Sequence, residues 1–432
     1  MRKRLAPALR VLALAVALTA PGLRAAEAGT LATRPAIREA LAYIQRAEPA
    51  TLDEQVRLCE IPAPPFQEKI RAEYYRAKFI ELGLQDVRID AEGNVLGVRP
   101  GRANGPLVVF DAHLDTVFPA EVSTKVTRTG TILKGPGIAD NCRGLAVLLT
   151  VARALQQSKI TTEATIVFVG SVGEEGLGDL RGVKHLFAKE LAGRITHFVA
   201  LDGTGLGAAD GAVGSYRYRV TFRAPGGHSY GMFGLANPIH ALGRAIDKIA
   251  RFQVPDSPKT TFNVGRIEGG TSVNSVAHTV SMEIDMRSVS AAELDKVDAS
   301  FRAAIASALK EENDFWAQHA RNPRARLVNA RNPVTADIER IGTRPTGKVA
   351  DDAPILAAVR RADAALGIKS SFSAGSTNSN TPISLGIPAV TLRTGGDGSG
   401  NHALDEQFDS KDSHLGTQRA FLALLEIAGV AP

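Results

Sequence analysis

A disulfide framework is missing from this 432-residue chain, whose two cysteines, Cys59 and Cys142, lie far apart. Two cysteines make no scaffold of the small secreted kind, and although they could pair in an oxidising compartment, the expected state is free and buried. Internal repeats, low-complexity tracts and long runs of one charge are also lacking, which excludes a repeat array or a charged tail as the organising feature. The apolar run from Val11 to Ala20 is too short to span a bilayer. Net basic charge is small once the N-terminus is set apart. Residues 1–28 contain five basic residues (Arg2, Lys3, Arg4, Arg10, Arg24) and one acid (Glu27), so the net charge of +6 falls to +2 without them. Nothing in that balance calls for nucleic acid as a partner.

Segment 1–28 has its own logic. Arg2, Lys3 and Arg4 precede the apolar run, which ends near the small residues Ala26 and Ala28. That is the order of a secretory signal peptide, so the expected mature protein is exported, periplasmic or secreted, with no membrane anchor after cleavage.

The remaining length exceeds what one hydrophobic core usually supports, so two domains are expected. Helical patterning covers Arg34 to Leu84, broken by the proline-rich Ile61 to Pro65. Strands are expected at Asp86 to Asp90, Asn94 to Val98, Leu107 to Phe110, Thr165 to Gly170, His197 to Leu201 and Pro388 to Leu392. Helices are expected at Gly144 to Gln156, Gly182 to Leu191 and Ala353 to Leu366. That alternation predicts an α/β fold with a mixed, mostly parallel sheet, and functional groups at the carboxyl ends of its strands. Between about Gly214 and Gly342 the rhythm changes. Strand Tyr216 to Arg223, helix Asn237 to Phe252, strands Thr261 to Glu268 and Thr279 to Arg287, helix Ala291 to Trp316 and strand Arg326 to Ile341 spell βαββαβ, an α+β unit inserted into the first domain.

Chemistry concentrates at the expected strand ends. His113 and Asp115, two apart in VFDAHLDTVF, share one strand face, so the Asp115 carboxylate can hold the imidazole in one tautomer for a metal. Asp140 lies in GIADNCRG, Glu174 and Glu175 in VGEEG, Asp202 in ALDG and His402 in GSGNHALDE. Singly, each reads as a helix cap or turn residue. Together, two histidines and three carboxylates form a mixed nitrogen and oxygen set suited to zinc, or less well to cobalt or manganese. With one carboxylate bridging, five ligands can hold two metals about 3.5 to 4 Å apart. The leftover carboxylate of the Glu174, Glu175 pair is free to accept a proton. The histidines at 185, 197, 240 and 278 fall on expected helices or strands and read as structural.

The ordered elements HLDT, GxADN, EEG, LDG and the late histidine, with the βαββαβ insertion, resemble the M20 family of metallopeptidases, which includes glutamate carboxypeptidase, tripeptidase T-like enzymes and aminoacylase. The resemblance spans essentially the whole mature chain. It implies a zinc-peptidase-like catalytic domain from 29–213 and 343–432, and an inserted lid and dimerisation domain at 214–342. It also implies two Zn2+ per chain bridged by Asp140, with His113 and Asp202 on one metal and Glu175 and His402 on the other. Glu174 would be the general base, Asp115 the residue orienting His113, and the Asp140–Asn141 peptide cis. His228, in PGGHSYG, matches a histidine that stabilises the oxyanion, in dimeric members from the neighbouring subunit. Asn274 and Arg287 match positions that hold the substrate's carboxylate, and Gly375, Ser376 and Thr377 a substrate-binding turn. Two departures bear on specificity. Asn378 stands where relatives often carry Asp, and Asn141, Cys142 and Arg143 replace a lysine and a small residue. The implied activity is exopeptidase cleavage of short peptides with a free carboxylate, the alternatives being hydrolysis of N-acyl amino acids or of poly-aspartate from its end.

Overall fold

The computed structural model describes residues 31–102 and 105–431; the expected signal segment lies outside them. Strand Leu107–His113 is buried at every position, so it must sit inside a sheet covered on both faces. It pairs in parallel with Thr165–Ser171 on one side and His197–Leu201 on the other, and Ala389–Leu392 extends the parallel core beyond His197–Leu201. Antiparallel strands finish both edges: Val95–Arg99 and Gln85–Ile89 on one, Ala208–Ala212 and Gly347–Lys348 on the other. Phe372–Gly375 runs parallel to Ala208–Ala212. The nine-stranded sheet is therefore mixed, and parallel where the candidate ligands emerge.

Helices Pro35–Cys59, Cys142–Ser158 and His414–Ala428 pack against one another, the last two also against Leu107–His113. The proline-rich break follows the first helix as expected, and the chain re-enters a helix at Lys69–Glu81. The expected helix Gly182 to Leu191 is instead one α-turn, Arg181–His185, widening into a π-turn over Leu186–Glu190.

The insertion carries a separate core. Its four antiparallel strands lie in the order Thr260–Gly269, Thr279–Ser288, Gly214–Arg223, Thr335–Arg344. Strand Thr279–Ser288 alternates strictly, burying Val280, Met282, Ile284 and Met286 under helices Pro238–Ile249 and Ala291–His319, while Glu283, Asp285 and Arg287 occupy the opposite face. One expectation needs correcting. The strand expected at Arg326 to Ile341 starts at Thr335, because Pro323–Arg331 is a helix. The Asn322 side chain accepts from the N–H groups of Arg324 and Ala325, Pro323 takes the first helical turn where its missing N–H costs nothing, and Pro333 follows the end.

Candidate metal and hydrolytic site

His113 closes its strand, Glu174 and Glu175 follow Thr165–Ser171, and Asp202 follows His197–Leu201, so three loops converge at the carboxyl edge of the sheet. Asp140 arrives just ahead of helix Cys142–Ser158, whose N-cap Asn141 accepts from the Gly144 N–H, and the Asp140–Asn141 peptide is cis as expected. His402 comes from the glycine-rich loop and holds a left-handed φ of 67°, a conformation a non-glycine residue adopts at a cost of about 1–3 kcal/mol. Asp140, Glu174, Glu175, Asp202 and His402 line a cleft of about 280 Å³ that also takes in Arg287 and the turn Gly375, Ser376, Thr377.

Asp140 presents one oxygen to each histidine. Its Oδ1 lies 3.1 Å from His113 Nε2 and its Oδ2 3.3 Å from His402 Nε2, which is also 3.2 Å from Glu175 Oε1. Donor atoms of His113, Asp140 and Glu175 fall within 4.8 Å of one another. Four carboxylates thus gather around two imidazoles, an excess of negative charge that divalent cations would offset. Burial, and then the Asp140 charge, push Asp202 up to about 7. Hydrogen bonds to Asp140 and Glu175 carry His402 up to about 10. Burial alone would lower His113, but its contacts with Asp115 and Asp140 hold it well above the ordinary imidazole range. The nitrogen and oxygen donors of His113, Asp140 and Glu175 are suited to holding a metal ion.

Asp115 contacts both His113 and the turn that follows the next strand. The nearest acceptor to His113 Nδ1 is the Asp115 backbone carbonyl at 3.1 Å, while its carboxylate stands 3.6 Å away. That carboxylate accepts instead from the backbone N–H groups of Glu174 at 3.0 Å and Glu175 at 2.7 Å. Either contact leaves Nε2 free for a metal, and the carboxylate's larger effect is to fix the two-glutamate turn.

Comparison with known proteins decides the family. Residues 109–426 match the family model described as Peptidase family M20/M25/M40. The chain belongs to this peptidase family. It is therefore a hydrolase acting on peptide or amide bonds. It is 25% identical over 369 residues to uncharacterized protein YqjE of Bacillus subtilis, covering 81% of this chain and 91% of that one. It is 27% identical to the succinyl-diaminopimelate desuccinylase of Corynebacterium glutamicum over 54% of this chain and 64% of that enzyme. Among solved structures, aminopeptidase PepT from Bacillus cereus superposes with a TM-score of 0.65 at 23% identity, over 88% of this chain and 99% of that one; at that identity the likeness is one of fold.

Three features of this M20 peptidase escape a reading of its sequence. Arg344, ending the last strand of the insertion, is 4% exposed; its Nη1 donates to Glu174 Oε1 at 2.8 Å and its Nη2 to the Glu174 carbonyl. Burial raises Glu174 well above the usual carboxylate range, and Arg344 offsets part of that rise. Glu406, four residues after His402, accepts from the N–H groups of Gly137, Ala139 and Asp140 at 3.1, 2.7 and 3.0 Å, tying the Asp140 turn to the His402 loop. Asn378 does not line the cleft. It is 2% exposed, and its amide donates to Asp111 at 2.7 Å and Ser171 at 2.8 Å. The carboxylate absent at 378 has a buried counterpart at Asp111, so the exchange alters the floor beneath the site and leaves the charge of the cleft wall unaffected.

His228 and Asn274 stand apart. They lie side by side on the insertion, where Gly227–His228 pairs with Ser275–Val276 and the Ser229 N–H donates to the Asn274 carbonyl, and both are exposed. Neither lines the cleft of its own chain. His228 Nδ1 accepts from the N–H groups of Tyr230 and Gly231 at 3.2 and 3.3 Å, so the hydrogen sits on Nε2, pointing donor chemistry outward.

Proposed function

We propose that the protein is a two-zinc exopeptidase that hydrolyses the amide bond of short peptides bearing a free carboxylate, with cobalt or manganese as possible substitutes. The observation that carries this reading is Asp140 giving one oxygen to each histidine, with Glu174 paired to Arg344 in the same cleft. His113 and Asp202 would hold one ion, Glu175 and His402 the other. When bound, the ions supply Lewis acidity for the scissile carbonyl and the attacking water. Glu174, kept out of bulk water, takes the proton from that water and passes it to the leaving amine. Arg344 occupies one Glu174 oxygen and holds the carboxylate in place. Arg287 receives the substrate's carboxylate through its planar fork, and the turn Gly375 to Thr377 cradles the substrate backbone. The insertion serves as lid and dimerisation unit, bringing His228 and Asn274 to the cleft of a second copy, where His228 Nε2 donates to the developing oxyanion. The leader-like order of residues 1–28 supports an activity outside the cytoplasm, and N-terminal sequencing of the exported protein tests that.

An N-acyl amino acid hydrolase uses the same groups. The desuccinylase relative, named for removing a succinyl group from an amino acid, supports keeping that second reading. Elemental analysis with hydrolysis of dipeptides, tripeptides and acyl amino acids, before and after chelation, tests both. About two zincs per chain with chelator-sensitive turnover is expected; no bound metal would overturn the reading.

A further inference from the structure

Besides Arg344, three guanidiniums line the cleft: Arg217 and Arg287 from the insertion's sheet and Arg393 at the carboxyl end of strand Ala389–Leu392. One carboxylate serves the first two. Asp285 lies opposite Arg217 across the strands and two residues before Arg287 on the same face; its Oδ1 is 3.1 Å from Arg217 Nε and its Oδ2 2.6 Å from Arg287 Nε. Arg217 also donates to the Gly176 carbonyl. Arg393 has no acidic partner among the described residues; its Nη1 donates to the Thr204 carbonyl at 3.3 Å, and its remaining N–H groups are uncommitted. Among these groups three cations therefore share one carboxylate. Burial and the nearby charges of Arg344 and Arg287 depress Arg217 from its usual value, so the wall is crowded with like charge that an entering anion would relieve.

A substrate with a single carboxylate, taken by Arg287, leaves Arg393 and half of the Arg217 fork unanswered. We propose that Arg393, supported by Arg217, selects substrates with a second carboxylate, either an acidic side chain or a dicarboxylic acyl group. This rests on the amide-hydrolase reading above and names its substrate class. A planar, permanently charged fork with free N–H groups suits a carboxylate. Each such hydrogen bond to a charged group is worth about tenfold to a hundredfold in affinity.

The test compares kcat/KM of the zinc-loaded full chain on alanyl-alanine, alanyl-glutamate, glutamyl-alanine, N-acetyl-alanine and N-succinyl-alanine, in wild type, Arg393→Met and Arg393→Glu, with metal content checked for each. At least one two-carboxylate substrate should exceed its neutral counterpart by about tenfold. That preference should shrink in Arg393→Met and vanish or invert in Arg393→Glu, mainly through KM. The peptide and succinyl arms distinguish an acidic residue from an acyl group. Equal use of acidic and neutral substrates by wild type, or a preference that survives Arg393→Glu, would overturn the proposal. Should no amide be cleaved, the hydrolase reading fails by itself, and calorimetry with glutarate against butyrate still decides the role of Arg393. Glutarate should bind more tightly than butyrate to wild type and lose about tenfold in Arg393→Glu; equal binding of glutarate by both proteins would refute it.

Discussion

The rim of the central sheet and the tip of the insertion both supply residues to the proposed reaction, yet they are built on opposite principles. At the rim, His113, Asp140, Glu174 and Glu175 are 14% exposed or less at the side chain and each is held by a neighbour within the same chain, His402 at 54% being the exposed member. At the tip, His228 and Asn274 are exposed, and they sit outside the cleft of their own subunit. Nearby stand Tyr230, 90% exposed, and Val273, fully exposed. Buried charge is costly unless its partners are already in place, so the rim is assembled by folding. The tip bears no such cost, and the proposed dimer would complete it.

The sharpest way to break this contrast is at the rim. Glu174→Gln keeps the volume and removes the base. Turnover should fall by about 10²- to 10⁴-fold, while elemental analysis still finds wild-type metal. Near-wild-type activity would end the role given to Glu174.

At the tip, His228→Ala should lower kcat by about 10²- to 10³-fold, the usual cost of one lost oxyanion donor, without changing metal content. Mixing inactive His228→Ala with inactive Glu174→Gln chains under subunit exchange should restore turnover, because a mixed dimer has one cleft with an intact base and an intact histidine from the other chain. No recovery, or a fully active monomer by light scattering, would show that the tip serves its own subunit.

Much of the rim is legible in the sequence because its residues sit at fixed offsets from short apolar strands. His113, Asp140, Glu174, Glu175 and Asp202 each follow or precede an element that periodicity alone locates, whereas His402 is marked only by its glycine-rich motif. Arg344 and Glu406 are different. Arg344 meets Glu174 across 170 residues, and Glu406 meets Ala139 across 267; no local pattern encodes a pairing that only the closed fold creates. Asn378 shows the same limit, since its partner Asp111 is hidden two residues before His113 on an apparently apolar strand. The helix at Pro323–Arg331 had a local signal in Asn322, Pro323 and Pro333, outweighed by the expectation of a longer strand.

Arg344→Met tests how far the rim depends on such a long-range partner. Glu174 and Arg344 are 6% and 4% exposed at the side chain, and removing one member of a buried pair costs about 3–5 kcal/mol because the other charge is stranded. Thermal or urea unfolding should register that loss, with Arg344→Lys recovering part of it; a stability within error of wild type would mean that the pair contributes little in the folded protein.

The metal site couples to pH with a definite sign. In the metal-free protein, carboxylate contacts hold His402 protonated up to about pH 10, and a ligand imidazole must lose that proton before it can bind a cation. Protons should therefore be released on zinc binding at neutral pH, and affinity should weaken by about tenfold per pH unit for each proton displaced as the pH is lowered. Calorimetry in two buffers of different ionisation enthalpy measures the release. Binding without release would mean that the imidazole is neutral before zinc arrives.

Glu406→Gln probes the smallest effect and the subtlest support. The carboxylate accepts three backbone N–H groups around Asp140, and burial lifts it to about 7 despite them. Glutamine keeps one acceptor oxygen and points an amide at donors that need acceptors, which should cost about 1–3 kcal/mol of stability. Because Glu406 fixes the Asp140 turn and shares a loop with His402, the same change should loosen zinc affinity while leaving the identity of every donor intact. A variant that loses stability but binds zinc as tightly as wild type would show that the turn around Asp140 holds its shape without the carboxylate that now cradles it.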